Sequence, residues 1–161
     1  APAMRTLIAA LLISFAAAAS AQKADPDQDG YYYPTVSTTE RFERELLQAD
    51  APADRELRQL FLAQLRREHA AAEGERRIEI FAKGSAATNL IIIALDDEVF
   101  RTIWRARAVL AGLTTEARST DFFKTNPAAA RATWFDLLKV LGFEDIVISD
   151  GATWSHLVSF K

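Results

Sequence analysis

The chain has no cysteine and only two histidines among its 161 residues. The missing thiols exclude disulfides, thiolate nucleophiles and every Cys-based zinc or iron–sulfur site. With only His69 and His156, a His-rich metal centre is excluded, and a Ser-His-Asp triad would have to use one of them. Glycine is scarce and scattered: Gly30, Gly74, Gly84, Gly112, Gly142 and Gly151 never stand together. Lys83-Gly84-Ser85 has the residues of a phosphate loop in the wrong order, with a strand-like run after it instead of a helix. That reads as turn chemistry. Strong charge of one sign is also missing. A net charge of -3 gives no broad pull toward nucleic acid or anionic lipid. The arginines of the 55–77 stretch interleave with Glu56, Glu68, Glu73 and Glu75, which describes a solvated helix face laced with ion pairs.

What is present is half hydrophobic and a quarter charged, an ordinary globular balance for one domain. The chain is organised around Arg76 to Leu95. Ile78, Ile80 and Ala82 alternate with polar or larger residues, so the first half predicts a half-exposed strand. Leu90 to Leu95 contains no polar residue and predicts an inner strand covered on both faces. Upstream, Thr38 to Gln48 predicts a short helix and Ala53 to Ala72 a stronger one, with Leu57, Leu60, Phe61 and Leu65 at helical spacing. His69 falls near the end of that helix, with no partner close in sequence. Downstream, Asp96, Asp97 and Glu98 predict a helix start, running to Thr114 or Arg118. Asn126-Pro127 predicts another, closed by Gly142 with Phe143 folding back on Leu138.

Asp150-Gly151 predicts a two-residue hairpin between Asp145–Ser149 and Ala152–Lys161. That loop length pairs Ser149 with Ala152 and places Asp145 opposite His156. A carboxylate beside an imidazole can orient it for acid–base work, so Asp145 and His156 form the candidate polar pair. The expected fold is α+β in the order α-ββ-α-α-ββ. Two hairpins form a mostly antiparallel sheet, with helices packed on one face.

The first residues read as an export signal. Arg5 supplies the positive end, Leu7 to Ala19 the apolar run, and Ala19-Ser20-Ala21 the cleavage pattern, leaving Gln22 first. The alternative is a retained membrane anchor at residues 4–21. Eighteen residues make roughly 27 Å of helix, close to the thickness of a hydrocarbon core. Residues 22–30 are expected to be a linker and 31–161 the single folded domain. Within the linker, Asp25, Asp27, Asp29 and Gly30 reproduce the first half of a calcium loop. Val36 stands where the second half needs a bidentate glutamate, so this is a weak metal candidate. Tyr31, Tyr32 and Tyr33 precede Pro34 and form a candidate partner-binding strap.

The segments YYYP, FAKG with LIIIAL, RARAVLAGLT and DLLKVLGFEDIVISDG resemble a family of small exported bacterial proteins whose members carry the label molybdopterin-guanine dinucleotide biosynthesis protein A. The resemblance spans Tyr31 to Phe160. It implies an exported location, and through the label a molybdopterin- or GTP-handling role. The Gly-rich loop of the nucleotidyltransferase has no counterpart here, so no site residue carries over. The residues themselves predict a non-catalytic accessory protein without a cofactor. It would be periplasmic or held at the inner membrane, and would bind another protein or a membrane complex. A periplasmic small-molecule binder or enzyme using the Asp-His pair is the alternative.

Overall fold

A computed structural model describes residues 22–23, 39–74, 76–96, 98–153 and 155–160. Strands β1 (Gln22–Lys23) and β2 (Thr39–Arg41) come first, then helix α1 (Arg55–Glu73). The hairpin β3 (Ile78–Lys83) and β4 (Asn89–Ala94) follows, then α2 (Ile103–Arg118). A 3-10 turn over Pro127–Arg131 leads into α3 (Trp134–Val140), and β5 (Asp145–Ser149) and β6 (Ser155–Ser159) close the chain. The fold is α+β.

The sheet has six strands in the order β1-β2-β6-β5-β4-β3. Both hairpins are antiparallel, but β4 joins β5 in parallel, as do β1 with β2 and β2 with β6. The expectation of a mostly antiparallel sheet is therefore corrected to a mixed one. The reason lies in the 103–140 segment. Two helices between β4 and β5 form a crossover long enough to return the chain to the starting end, and such a return makes the next strand parallel.

The core lies on one side of the sheet. Ile78, Ile80, Leu90, Ile92, Ile146, Ile148 and Val158 face it and form one cluster with Phe61, Leu65, Leu110, Leu113, Trp134 and Leu137 from the helices. The expected inner strand is β4, Asn89–Ala94, with Leu95 exposed past its end; Leu90 and Ile92 are buried, while Ile91 and Ile93, on the face away from the described helices, are only half-buried. Two arginines of the charged α1 face tie the layers together through backbone carbonyls. Arg58 donates to Ala53, Ala86 and Leu141, and Arg66 donates to Ile80.

Other elements differ from the sequence reading for local reasons. The 38–48 segment is not a helix: Thr39–Arg41 is strand β2, because pairing with β6 outweighs a short helix's costly nucleation. Helix α2 begins at Ile103 with Thr102 as its cap, not at the acids. Asp96 instead caps a turn, its carboxylate accepting from the Glu98 amide at 2.8 Å. The Asn126-Pro127 start gives only the 3-10 turn, and α3 begins anew with a Thr133–Asp136 capping box. Gly142 adopts φ 74° and the Phe143 amide donates to the Leu138 carbonyl at 3.2 Å, the expected closure.

Candidate functional site

The most concentrated polar chemistry among the described residues lies where α1, α2 and β3 meet. Helix α1 starts on Asp54, whose carboxylate accepts from the Leu57 amide, and stops at Gly74 in the left-handed conformation. Those ends fix where His69 emerges. Helix α2 brings Glu116 across from it. The His69 Nδ1 lies 2.9 and 3.1 Å from the two Glu116 oxygens. The His69 side chain is 12% exposed and that of Glu116 is 8% exposed. A carboxylate that accepts from Nδ1–H fixes the ring's orientation and leaves Nε2 as the basic nitrogen of a neutral imidazole.

This pair forms part of the wall of a cleft of about 290 Å³. Ile78, Val99, Ala108, Val109 and Gly112 supply its apolar surface, and Arg77 and Arg105 its basic groups. A second cavity of about 270 Å³ shares His69 and Ile78 and extends toward Arg66, Arg76 and Glu79. The arginines of the cleft are positioned by acids in the connection from β4 to α2. Arg77 Nε lies 3.2 Å from Asp96, and Arg105 Nη1 donates to the Glu98 carboxylate at 2.5 Å and to its carbonyl at 3.0 Å. Hydrogen bonding from Arg77 holds the Asp96 carboxyl below its ordinary range, and Arg101 followed by Arg105 does the same for Glu98. Among the described residues, no serine, threonine or lysine lines the cleft, so none of them offers the pair a hydroxyl or amine nucleophile.

The predicted polar pair does not form. Asp145 pairs with Ser159, and His156 pairs with Ile148. The connection is five residues, not two. The Asp150 carboxylate accepts from the Ala152 and Thr153 amides, each at 2.9 Å, and builds a wider turn with Gly151 at φ 77°. The register moves by three residues, an odd number, which puts Asp145 and His156 on opposite faces. His156 turns into the core instead, where its Nε2 lies 3.3 Å from Glu40 Oε2 of β2, both side chains fully buried. Tyr31, Tyr32 and Tyr33, the aspartates Asp25, Asp27 and Asp29, and residues 1–21 lie outside the described residues. Among the described residues, no group of three or more His, Asp or Glu side chains is placed to hold a metal ion. Nor is any described helix long and apolar enough to cross a membrane.

The His69–Glu116 pair was missed because 47 residues separate its members. One signal pointed to it. Glu116 follows Val109, Gly112 and Leu113 at helical spacing, so it lies in phase with the apolar side of α2, and a buried carboxylate requires a partner.

The opposite side of the sheet has a different character. Phe81 pairs with Ile91, Ile91 with Val147, and Val147 with Leu157, a row that crosses four strands. All four are half-buried and point away from the core. At the strand spacing of about 4.8 Å the row is roughly 14 Å long. Ile93 flanks it on β4, and Lys83 reaches over the Phe81 ring with its ammonium 5.8 Å from the ring centre.

Comparison of the chain with protein-family models, with curated proteins and with solved structures gives no match.

Proposed function

We propose that this is an exported, non-catalytic accessory protein that binds a partner protein through the open face of its sheet. The row Phe81–Ile91–Val147–Leu157 carries the reading. A sheet with one face in water normally alternates apolar with polar residues along each strand. Here the middle position of each strand breaks that rule: Phe81, Ile91, Val147 and Leu157 line up across the face, with Ile93 beside them, between the polar Glu79, Lys83, Asn89, Asp145, Ser149, Ser155 and Ser159. Contiguous apolar surface of that kind on a small protein marks a contact with another macromolecule. A broad sheet face suits a protein surface better than it suits a small molecule. The export signal places the partner outside the cytoplasm, free or within a membrane complex.

The test is site-specific photocrosslinking in the native host. A crosslinker at Val147 should capture one defined protein, and one at Glu68 on the outer side of α1 should not. Val147→Lys should abolish capture by a crosslinker placed at Ile91 while leaving the circular dichroism spectrum unchanged. Equal capture from both positions, or capture that survives Val147→Lys, would sink the reading.

A further inference from the structure

We propose that the cleft between α1, α2 and β3 binds a small organic anion, one carboxylate on a compact apolar body. This site is on the helix side of the sheet and is independent of the partner-binding face. The first argument is charge. Among the described residues, the charged or ionisable groups lining the cleft are Arg77, Arg105, Glu116 and His69. On the cleft wall itself two guanidiniums stand against one carboxylate, while Asp96 and Glu98, which pair with those guanidiniums, lie outside the lining. Glu116 does not oppose an incoming anion strongly, because both of its oxygens already face the His69 ring at 2.9 and 3.1 Å.

The second argument is availability. The Arg77 and Arg105 side chains are 43% and 50% exposed, and their acidic partners Asp96 and Glu98 sit at similar exposure. Exposed ion pairs are weak, and a guanidinium presents five donors in a planar fork. An anion in the cleft can therefore share these groups without breaking a strong contact. The third argument is shape. Gly112 presents no side chain, and a Cβ there would stand 3.8 Å from Glu116 Oε1 in otherwise open space. The glycine thus keeps room beside the carboxylate, against the apolar wall. A volume of about 290 Å³ is small. At about 30 Å³ for each water displaced, it admits roughly ten water volumes, a body the size of a benzene ring with its acid group.

The experiment uses the full chain and four probes followed by amide NMR and calorimetry: benzoate, 3-methylbutanoate, the neutral isostere benzamide, and inorganic phosphate. The expected result is that the carboxylates shift the Ala108 and Gly112 amides and bind at least tenfold more tightly than benzamide. Arg105→Gln should bring benzoate to the level of benzamide. Gly112→Leu should abolish carboxylate binding, and Gly112→Ala, which favours the helix, should weaken it severalfold with the fold intact. If Gly112→Leu fails to fold, Arg105→Gln and Gly112→Ala decide the matter. Four results would overturn the proposal: no probe shifting these amides, equal binding of benzoate and benzamide, phosphate binding without the organic acids, or affinity unmoved by both substitutions.

Discussion

Each of the chain's two histidines sits within reach of a glutamate on a different element. His69 reaches Glu116 at the rim of a cleft, and His156 reaches Glu40 inside the core. The sequence showed that His156 lies on a strand beside an acid-bearing neighbour, but it pointed to the wrong acid. The error came from one side chain. Asp150 was read as half of a two-residue turn, whereas its carboxylate gathers the amides of Ala152 and Thr153 and lengthens the loop. Asp-Gly fits both turns, and only the longer one lets His156 turn inward. The buried pair carries a prediction. Removing one partner leaves the other without its compensation inside the core, so Glu40→Leu or His156→Leu alone should cost about 3–5 kcal/mol. The double replacement should recover most of that, because two apolar side chains need no mutual compensation. Urea unfolding of the four proteins measures the coupling. Losses that simply add would show that the two side chains do not stabilise each other.

At the scale of elements, the strong helix, the first hairpin and the closure at Gly142 were legible because each is specified locally, by spacing or by a turn residue. The short strand β2 and the late start of α2 were not. Thr39–Arg41 is a strand only because β6 lies beside it, and no local pattern records that neighbour. Asp96 does cap an amide and Glu98 does hold two guanidiniums, but they do so in the connection before α2. Their chemistry was read correctly and their location was not. That connection should be acid-sensitive. Arg77 lowers the Asp96 carboxyl below its ordinary 3.8, and Arg101 with Arg105 lowers Glu98 below 4.5. A carboxylate whose folded value is depressed contributes stability above its unfolded value and loses it as pH falls through the folded one. The connection should therefore be intact at pH 6 and loosen below about pH 4, while the core strands stay protected. Backbone hydrogen exchange, corrected for its intrinsic pH dependence, should show this at residues 98–102 before β4. Uniform protection down to pH 3 across both segments would refute it. Arg105→Gln should raise the Glu98 titration toward its ordinary value.

For the molecule as a whole, the described helices all lie on one side of the sheet, and this the sequence order anticipated. What it did not anticipate is that the apolar run Leu90 to Leu95 has one side uncovered by any described helix. The missing alternation of Leu90 to Leu95 predicts a strand covered on both faces. Missing alternation says only that both faces meet apolar surroundings, and it does not say that this chain provides them. The cleft was also out of reach, because its lining comes from α1, β3 and α2 and closes only when those layers pack. The two faces of β4 can be separated by neighbouring residues. Ile92 is fully buried among the helices, and Ile92→Ala should cost about 2–5 kcal/mol with the cavity it leaves. Ile91 stands on the face away from the described helices, half-buried beside Phe81 and Val147. Ile91→Thr keeps a β-branched side chain that suits a strand, so it should cost about 1 kcal/mol or less in the isolated protein. The same substitution should weaken partner capture, and it should reduce any self-association seen by sedimentation velocity at high concentration. Urea unfolding of the two variants side by side makes the comparison. If Ile91→Thr proves as destabilising as Ile92→Ala, the row is covered by the chain's own residues and no partner surface exists there. If it costs little yet abolishes crosslinking from Val147, the apolar row belongs to an interface whose other half is another protein.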